Sequence, residues 1–199
     1  MKQMVNLNVV QFARSLTRGF CFSDSEPGAQ HSPVAELYLG GIPFENWIGP
    51  DIHIPLHEVT GWRIRIECLR FDGRDFAAGP IVADLALSTQ FIWLNRQYEA
   101  GVLQVLGPGS WEGRIYYVPC DRIASLPRLI FHIEADTVYL TPDEYILKTG
   151  HGATTRCFSS FRFASGTGHT PTILGSTFMK PFATVFDKNS LSVGMKRRE

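Results

Sequence analysis

Apolar residues recur along this chain in short runs, most with a period near two. "AELYLGGI", "IHIPL", "WRIRIECLRF", "GRIYYVP", "LIFHIEADTVYL" and "FATVFD" are rich in Val, Ile, Tyr, Phe and Trp and end at turn-forming residues. That pattern predicts β-strands. In "WRIRIECLRF", Trp62, Ile64 and Ile66 alternate with Arg63, Arg65 and Glu67, the signature of a strand with one buried face. The Asp-Gly of "FDGRDF" predicts a hairpin turn from that strand into the next.

Helical periodicity is scarce. "NRQYEAGVLQVL" puts Tyr98, Val102 and Val105 on roughly one helical face. "TPDEYIL" offers Thr141 as an N-cap, Pro142 at the first helical position and two acids in the first turn. "GSTFMKPF" offers Ser176 or Thr177 as the cap of a single turn, limited by Pro181. The polar, Pro- and Gly-bearing stretch at 23–33 reads as a linker, and no internal repeat is evident. With 18 Gly and 12 Pro between the apolar runs, the pattern predicts an all-β body with many turns and a few short helices.

Composition narrows the partners. The 199 residues carry 19 Lys plus Arg and 19 Asp plus Glu, which argues against nucleic acid or an anionic membrane as a general partner. No apolar run approaches the ~20 residues of a membrane span. The start "MKQMVNLNVVQFARSL" lacks the continuous apolar core of a signal peptide. Cys21, Cys68, Cys120 and Cys157 form no CxxC pair, so a zinc ribbon is not indicated. His151 and His169 lie in Gly/Thr-rich loops, where solvated histidines outnumber metal ligands. No cofactor or metal is expected.

One acid stands apart. In "GPIVADLALSTQFIW", Asp84 sits among Ala83, Leu85, Ala86 and Leu87, and ionised carboxylates are rarely placed among apolar neighbours without a partner. Two readings are open: a turn aspartate bonded to its own backbone, or an acid delivered by a strand for chemistry.

In their order, these pieces resemble the C-terminal lobe of pepsin-like aspartic proteases. The resemblance rests on "ELYLGGIPFENWIGPDIHIPLHEVTGWRIRIECLRFDGRDF", on "IVA" before Asp84, on "CDRIASLPRLIFHIEADTVYLTPDEYIL" and on "TILGSTFMKPFATVFDKNSLSVGM". It covers roughly residues 35–195. It implies an interlobe-type segment over residues 1–34, a pepsin-like lobe over 35–199, and Asp84 at the position of that lobe's catalytic aspartate. It also implies a disulfide between Cys120 and Cys157, which would add roughly 3–4 kcal/mol. Cys21 and Cys68 have no family counterparts and read as free buried thiols. A secretory, lysosomal or extracellular setting is a further implication.

The family's chemistry uses two carboxylates, one per lobe, sharing a proton across a water. Each sits in an Asp-Thr/Ser-Gly turn, usually followed by Thr/Ser-Ser. Here the turn is Asp84-Leu85-Ala86-Leu87-Ser88: the acid and the last serine remain, while both intervening hydroxyls and the glycine are replaced. A second register would put Ala83 at the acid's position, but Ser88, Phe91 and Ile92 then fall out of step. No second Asp-Thr/Ser-Gly-like turn and no flap tyrosine segment occurs in the sequence.

The expectation is therefore a catalytically inactive pepsin-like homologue acting as a binding or structural module. The alternative is one half of an aspartic endopeptidase, with Asp84 in the dyad and the other lobe supplied by another chain or an upstream segment. Either reading implies a protein partner, an N-terminal-lobe-like chain, a larger assembly or a second copy, with a peptide as a further candidate ligand. That partner is expected on the face carrying Asp84, Leu85 and Leu87. It is also expected against strand edges left open near residues 1–22 and at "SLSVGM", with Phe20, Phe22, Leu191 and Val193 uncovered.

Overall fold

The β-rich pattern folds largely where it predicts. The computed structural model describes residues 17–22, 35–39, 52–164 and 172–198. Among these the elements are, in order, β1 (Thr17–Phe22), β2 (Ala35–Leu39), β3 (Ile52–Pro55), β4 (Arg63–Phe71), β5 (Arg74–Leu85), β6 (Ile92–Asn95), α1 (Glu99–Leu106), β7 (Ser110–Glu112) and β8 (Ile115–Val118). There follow β9 (Leu129–Ile133), β10 (Asp136–Leu140), α2 (Pro142–Tyr145), β11 (Ile146–Thr149), β12 (Arg156–Ser159), β13 (Phe161–Ala164), β14 (Thr172–Leu174), α3 (Ser176–Met179), β15 (Phe182–Asp187) and β16 (Ser192–Arg197). The protein is all-β with a few short helices. None of the described helices is long and apolar enough to cross a membrane. The predicted linker at 23–33 lies outside the described residues.

The chain divides into two units, residues 1–55 with 182–199, and Leu56–Pro181. In the first, five antiparallel strands run in the order β2-β1-β15-β16-β3. For the described residues 17–22 and for "SLSVGM" this corrects the expectation of open edges; residues 1–16 lie outside the described residues. β1 pairs on both sides, with β15 and β2, and β16 pairs with β15 and β3, so the described edges are β2 and β3. Val193 is fully buried and Leu191 is 38% exposed. The side chains of Phe20 and Phe22 lie outside the described residues.

The second unit holds a seven-stranded sheet, β10-β9-β4-β5-β14-β6-β13, and a four-stranded one, β11-β12-β8-β7. Its core is aromatic. Phe71, Tyr145 and Phe161 meet edge-on or tilted at 5.7–6.0 Å between ring centroids, and Phe131 packs on Phe178 at 4.9 Å. Two of the motifs touch here. The Tyr145 hydroxyl, fully buried, donates to the Pro127 carbonyl of "SLP" at 2.7 Å, so burying the ring leaves no orphan polar group. Burial pushes the Tyr145 pKa up, with a small contribution from Asp72.

Local signals fare unequally. Thr141 is the N-cap of α2 with Pro142 following, and its N–H is accepted by the Glu144 carboxylate at 2.6 Å, one arm of a capping box. In α1 the buried face is Val102 and Leu106, whereas Tyr98 and Val105 stay partly exposed. The short 3₁₀ turn Arg96–Tyr98 displaces Tyr98 from the α-helical phase. Cys120 and Cys157 form the disulfide, with Cα atoms 5.3 Å apart. Cys68 is free but only half-buried, because it sits beside a strand irregularity next to Arg70 and Asp75, and its Sγ lies 3.6 Å from an Asp75 oxygen. Burial, with the Asp75 charge second, raises its thiol pKa, away from thiolate reactivity.

Candidate active-site turn

Asp84 is the penultimate residue of β5. Alternation turns Ala83 and Leu85 to one side, 0% and 7% exposed, and Asp84 to the other, its side chain 28% exposed. Leu85 therefore does not share an open face with Asp84, as the sequence led us to expect. Of the two leucines only Leu87, out in the turn, is exposed, at 42%.

The turn is held from below by β14 and the start of α3. β14 lies between β5 and β6, parallel to the first and antiparallel to the second. The Leu85 N–H donates to the Trp62 carbonyl at 2.9 Å and the Ala86 N–H to that of Leu174 at 3.1 Å. The carbonyls of Thr89, Gln90 and Phe91 then accept from Ser176, Thr177 and Gly175 at 2.8, 3.2 and 3.1 Å. These bonds cap α3, so its N-cap is Gly175 rather than the expected Ser176 or Thr177. The reason is steric. A Cβ on Gly175 would lie 2.4 Å from the Phe91 carbonyl oxygen and 2.5 Å from that of Thr89. The Thr89 hydroxyl completes the frame, accepting from the Phe91 N–H at 3.2 Å and the Trp93 indole at 3.4 Å.

Above the turn the chemistry is ionic. Arg63 Nε donates to Asp84 Oδ1 at 2.7 Å, while Arg63 Nη1 reaches both oxygens of Glu58 at 3.1–3.2 Å. Hydrogen bonding by Asp84 first, then Glu58, pushes the Arg63 guanidinium above its ordinary range. Sequence reasoning placed Arg63 on a solvated face and missed this role. The register explains why. Phe71 opposes Arg74 across the Asp72-Gly73 turn, and a regular ladder from there would set Val82 opposite Arg63. Two irregularities each insert one residue into β5, near Phe76 and at Gly79-Pro80, and bring Asp84 opposite Arg63 instead. Gly79, at φ +139°, takes a conformation that most residues avoid.

Of the other candidates, Ala86 and Ser88 belong to the same turn, Ser88 being exposed. His169 lies outside the described residues. Among the described residues, no group of three or more His, Cys, Asp or Glu side chains is placed to hold a metal ion.

The turn thus has no hydroxyl at the two positions after Asp84 and rests on β14, with Gly175 following it. The family model for eukaryotic aspartyl proteases matches residues 20–197. The chain belongs to that family. A cathepsin D of Chionodraco hamatus is 29% identical over 178 residues, covering 87% of this chain and 43% of that protein. Gastricsin of Rattus norvegicus is 25% identical over 83% of this chain and 43% of its own. Procardosin-A of Cynara cardunculus reaches 44%, but over 78 residues, 39% of this chain and 16% of its own. The chain thus spans less than half the length of these relatives. In this pepsin-like chain the closeness of the frame beneath the turn depends on Gly175 and on backbone bonds.

Proposed function

We propose that this chain is a catalytically silent pepsin-like lobe, the C-terminal one by its motifs, that serves as a binding or structural module in an assembly. The observation carrying this reading is the ion pair at the turn. An aspartate that is to share a proton with a second carboxylate and bind a water needs its oxygens free for both. Here one Asp84 oxygen is engaged by Arg63, which is itself held by Glu58. Leu85 and Ala86, following the acid, bring neither a hydroxyl nor the open space of a glycine. The test is hydrolysis of a denatured protein substrate between about pH 3 and 6, with and without a pepstatin-type inhibitor. No inhibitor-sensitive cleavage is expected, and its appearance overturns the reading.

One observation favours a second reading. Because the chain corresponds to less than half of the cathepsin D and gastricsin chains, an aspartic endopeptidase could be completed by a lobe from another polypeptide, with Asp84 as one acid of the dyad. Asp84→Asn separates the two in the completed assembly. It abolishes peptide hydrolysis under the second reading and leaves the assembly's function intact under the first.

A further inference from the structure

Away from Asp84, a groove of about 270 Å³ opens between the β6–β13 edge of the seven-stranded sheet and the β7–β8 hairpin. Its lining includes Trp93, Trp111, Arg96, Arg114, Arg162 and Glu99. The floor residue is unusual. Arg162 is only 4% exposed, and its Nη1 donates to the carbonyls of Ser159 and Phe161 at 2.9 and 2.7 Å. Its guanidinium carbon lies 3.7 Å from the centroid of the Phe91 ring. Among the described residues Nη2 is buried with no hydrogen-bond partner, and no carboxylate pairs with the group. Burial pulls its pKa down to about 10. A buried cation whose described contacts are all neutral groups is costly and calls for a reason.

The rest of the groove supplies one. Arg114 is exposed on the hairpin turn next to Gly113, and Arg96 is paired with Glu99 at 3.3 Å. Three arginines thus stand against one glutamate, an unbalanced positive field in a concave site. Trp111, 42% exposed, and Trp93 add apolar ring surface.

We propose that this groove binds a carboxylate carried on an aromatic body, the acid directed at Arg114 and Arg162 and the ring packed on the tryptophans. The exposed Arg114 fork matches a carboxylate's two oxygens, and the tryptophan rings offer apolar surface that an aromatic acid can cover and inorganic phosphate cannot. The shared chemistry has two sources, the C-terminal residue of a peptide or a free aromatic acid. This site is independent of Asp84 and of the turn's chemistry.

The experiment uses the full chain and follows tryptophan fluorescence. The probes are 3-phenylpropionate, the tripeptide Gly-Gly-Phe, the amidated form of each, and inorganic phosphate. Both acids are expected to bind, and amidation is expected to weaken them at least ~10-fold, since charge-assisted bonds are roughly twice as strong as neutral ones. Tighter binding of Gly-Gly-Phe assigns a peptide end, and tighter binding of 3-phenylpropionate a free acid. Arg114→Glu, an exposed change that spares the core, is expected to weaken the acids by a similar factor. Equal binding of acid and amide, phosphate binding as tightly, no effect of Arg114→Glu, or no binding at all overturns the proposal and leaves Arg162 a structural post. Arg162→Met is informative if it melts cooperatively, and should then abolish acid binding. If it does not fold, Arg114→Glu carries the test.

Discussion

The two sides of the turn at Asp84 are built on different physics. Below it, Ala83 and Leu85 are buried, and Gly175 lets two carbonyls approach to within a methyl's reach. Above it, Asp84, Arg63 and Glu58 form a charged trio whose side chains are 28–40% exposed. The lower side is a matter of volume and backbone bonds, where small changes are felt strongly. The upper side is a solvated ion-pair network, where partners can be exchanged at little cost to folding. The packing below the turn can therefore stay fixed while the charged groups above it are exchanged.

The two leucines of the turn test this contrast most sharply. Leu85→Ala should lower stability by about 2–4 kcal/mol, whereas Leu87→Ala should change it by about 0.5 kcal/mol or less. Urea denaturation of both variants gives the comparison, and equal losses would break it. For the same reason a charge at position 85 would report on folding rather than on any interface, and Leu87 is the position at which to probe docking.

Gly175→Ala comes next. Its new methyl must displace the Phe91 and Thr89 carbonyls, so a loss of about 1–3 kcal/mol is expected despite the ordinary backbone angles at this residue. A neutral Gly175→Ala in thermal melting would show that the frame yields more easily than its distances imply.

Tyr145 extends the contrast to a buried polar group. Tyr145→Phe should lose about 1 kcal/mol at neutral pH by orphaning the Pro127 carbonyl. Its pKa is raised by burial, so the native state favours the neutral phenol. That contribution is whole below the ordinary tyrosine range near ~10 and falls as pH rises beyond it. The difference between the two proteins should shrink above that pH, and a constant difference would mean that the hydroxyl is not desolvated.

The smallest effect belongs to the upper side. Arg63→Gln should leave the melting temperature nearly unchanged, and a double-mutant cycle with Asp84→Asn should give little coupling, weaker still at high salt. A large coupling would place this trio with the buried side of the turn.

The strand runs, the Asp72-Gly73 hairpin and the Thr141-Pro142 cap could be read from sequence because each is written in neighbouring residues with a fixed period or turn chemistry. The resemblance to the pepsin-like lobe likewise came from ordered local motifs, and with it the Cys120–Cys157 pair. Tertiary structure decided what depends on distant register. Two one-residue insertions in β5 set Asp84 opposite Arg63, and the crossing of β14 beneath the turn made Gly175 the cap of α3. Arg162 shows the same division. Its strand lies in a run of ordinary composition, and its burial with no counter-charge among the described residues follows from packing against Phe91 and two carbonyls. Sequence carries the period of each element, but a contact between elements depends on every bulge and crossing in between, and those are settled only when the sheet assembles.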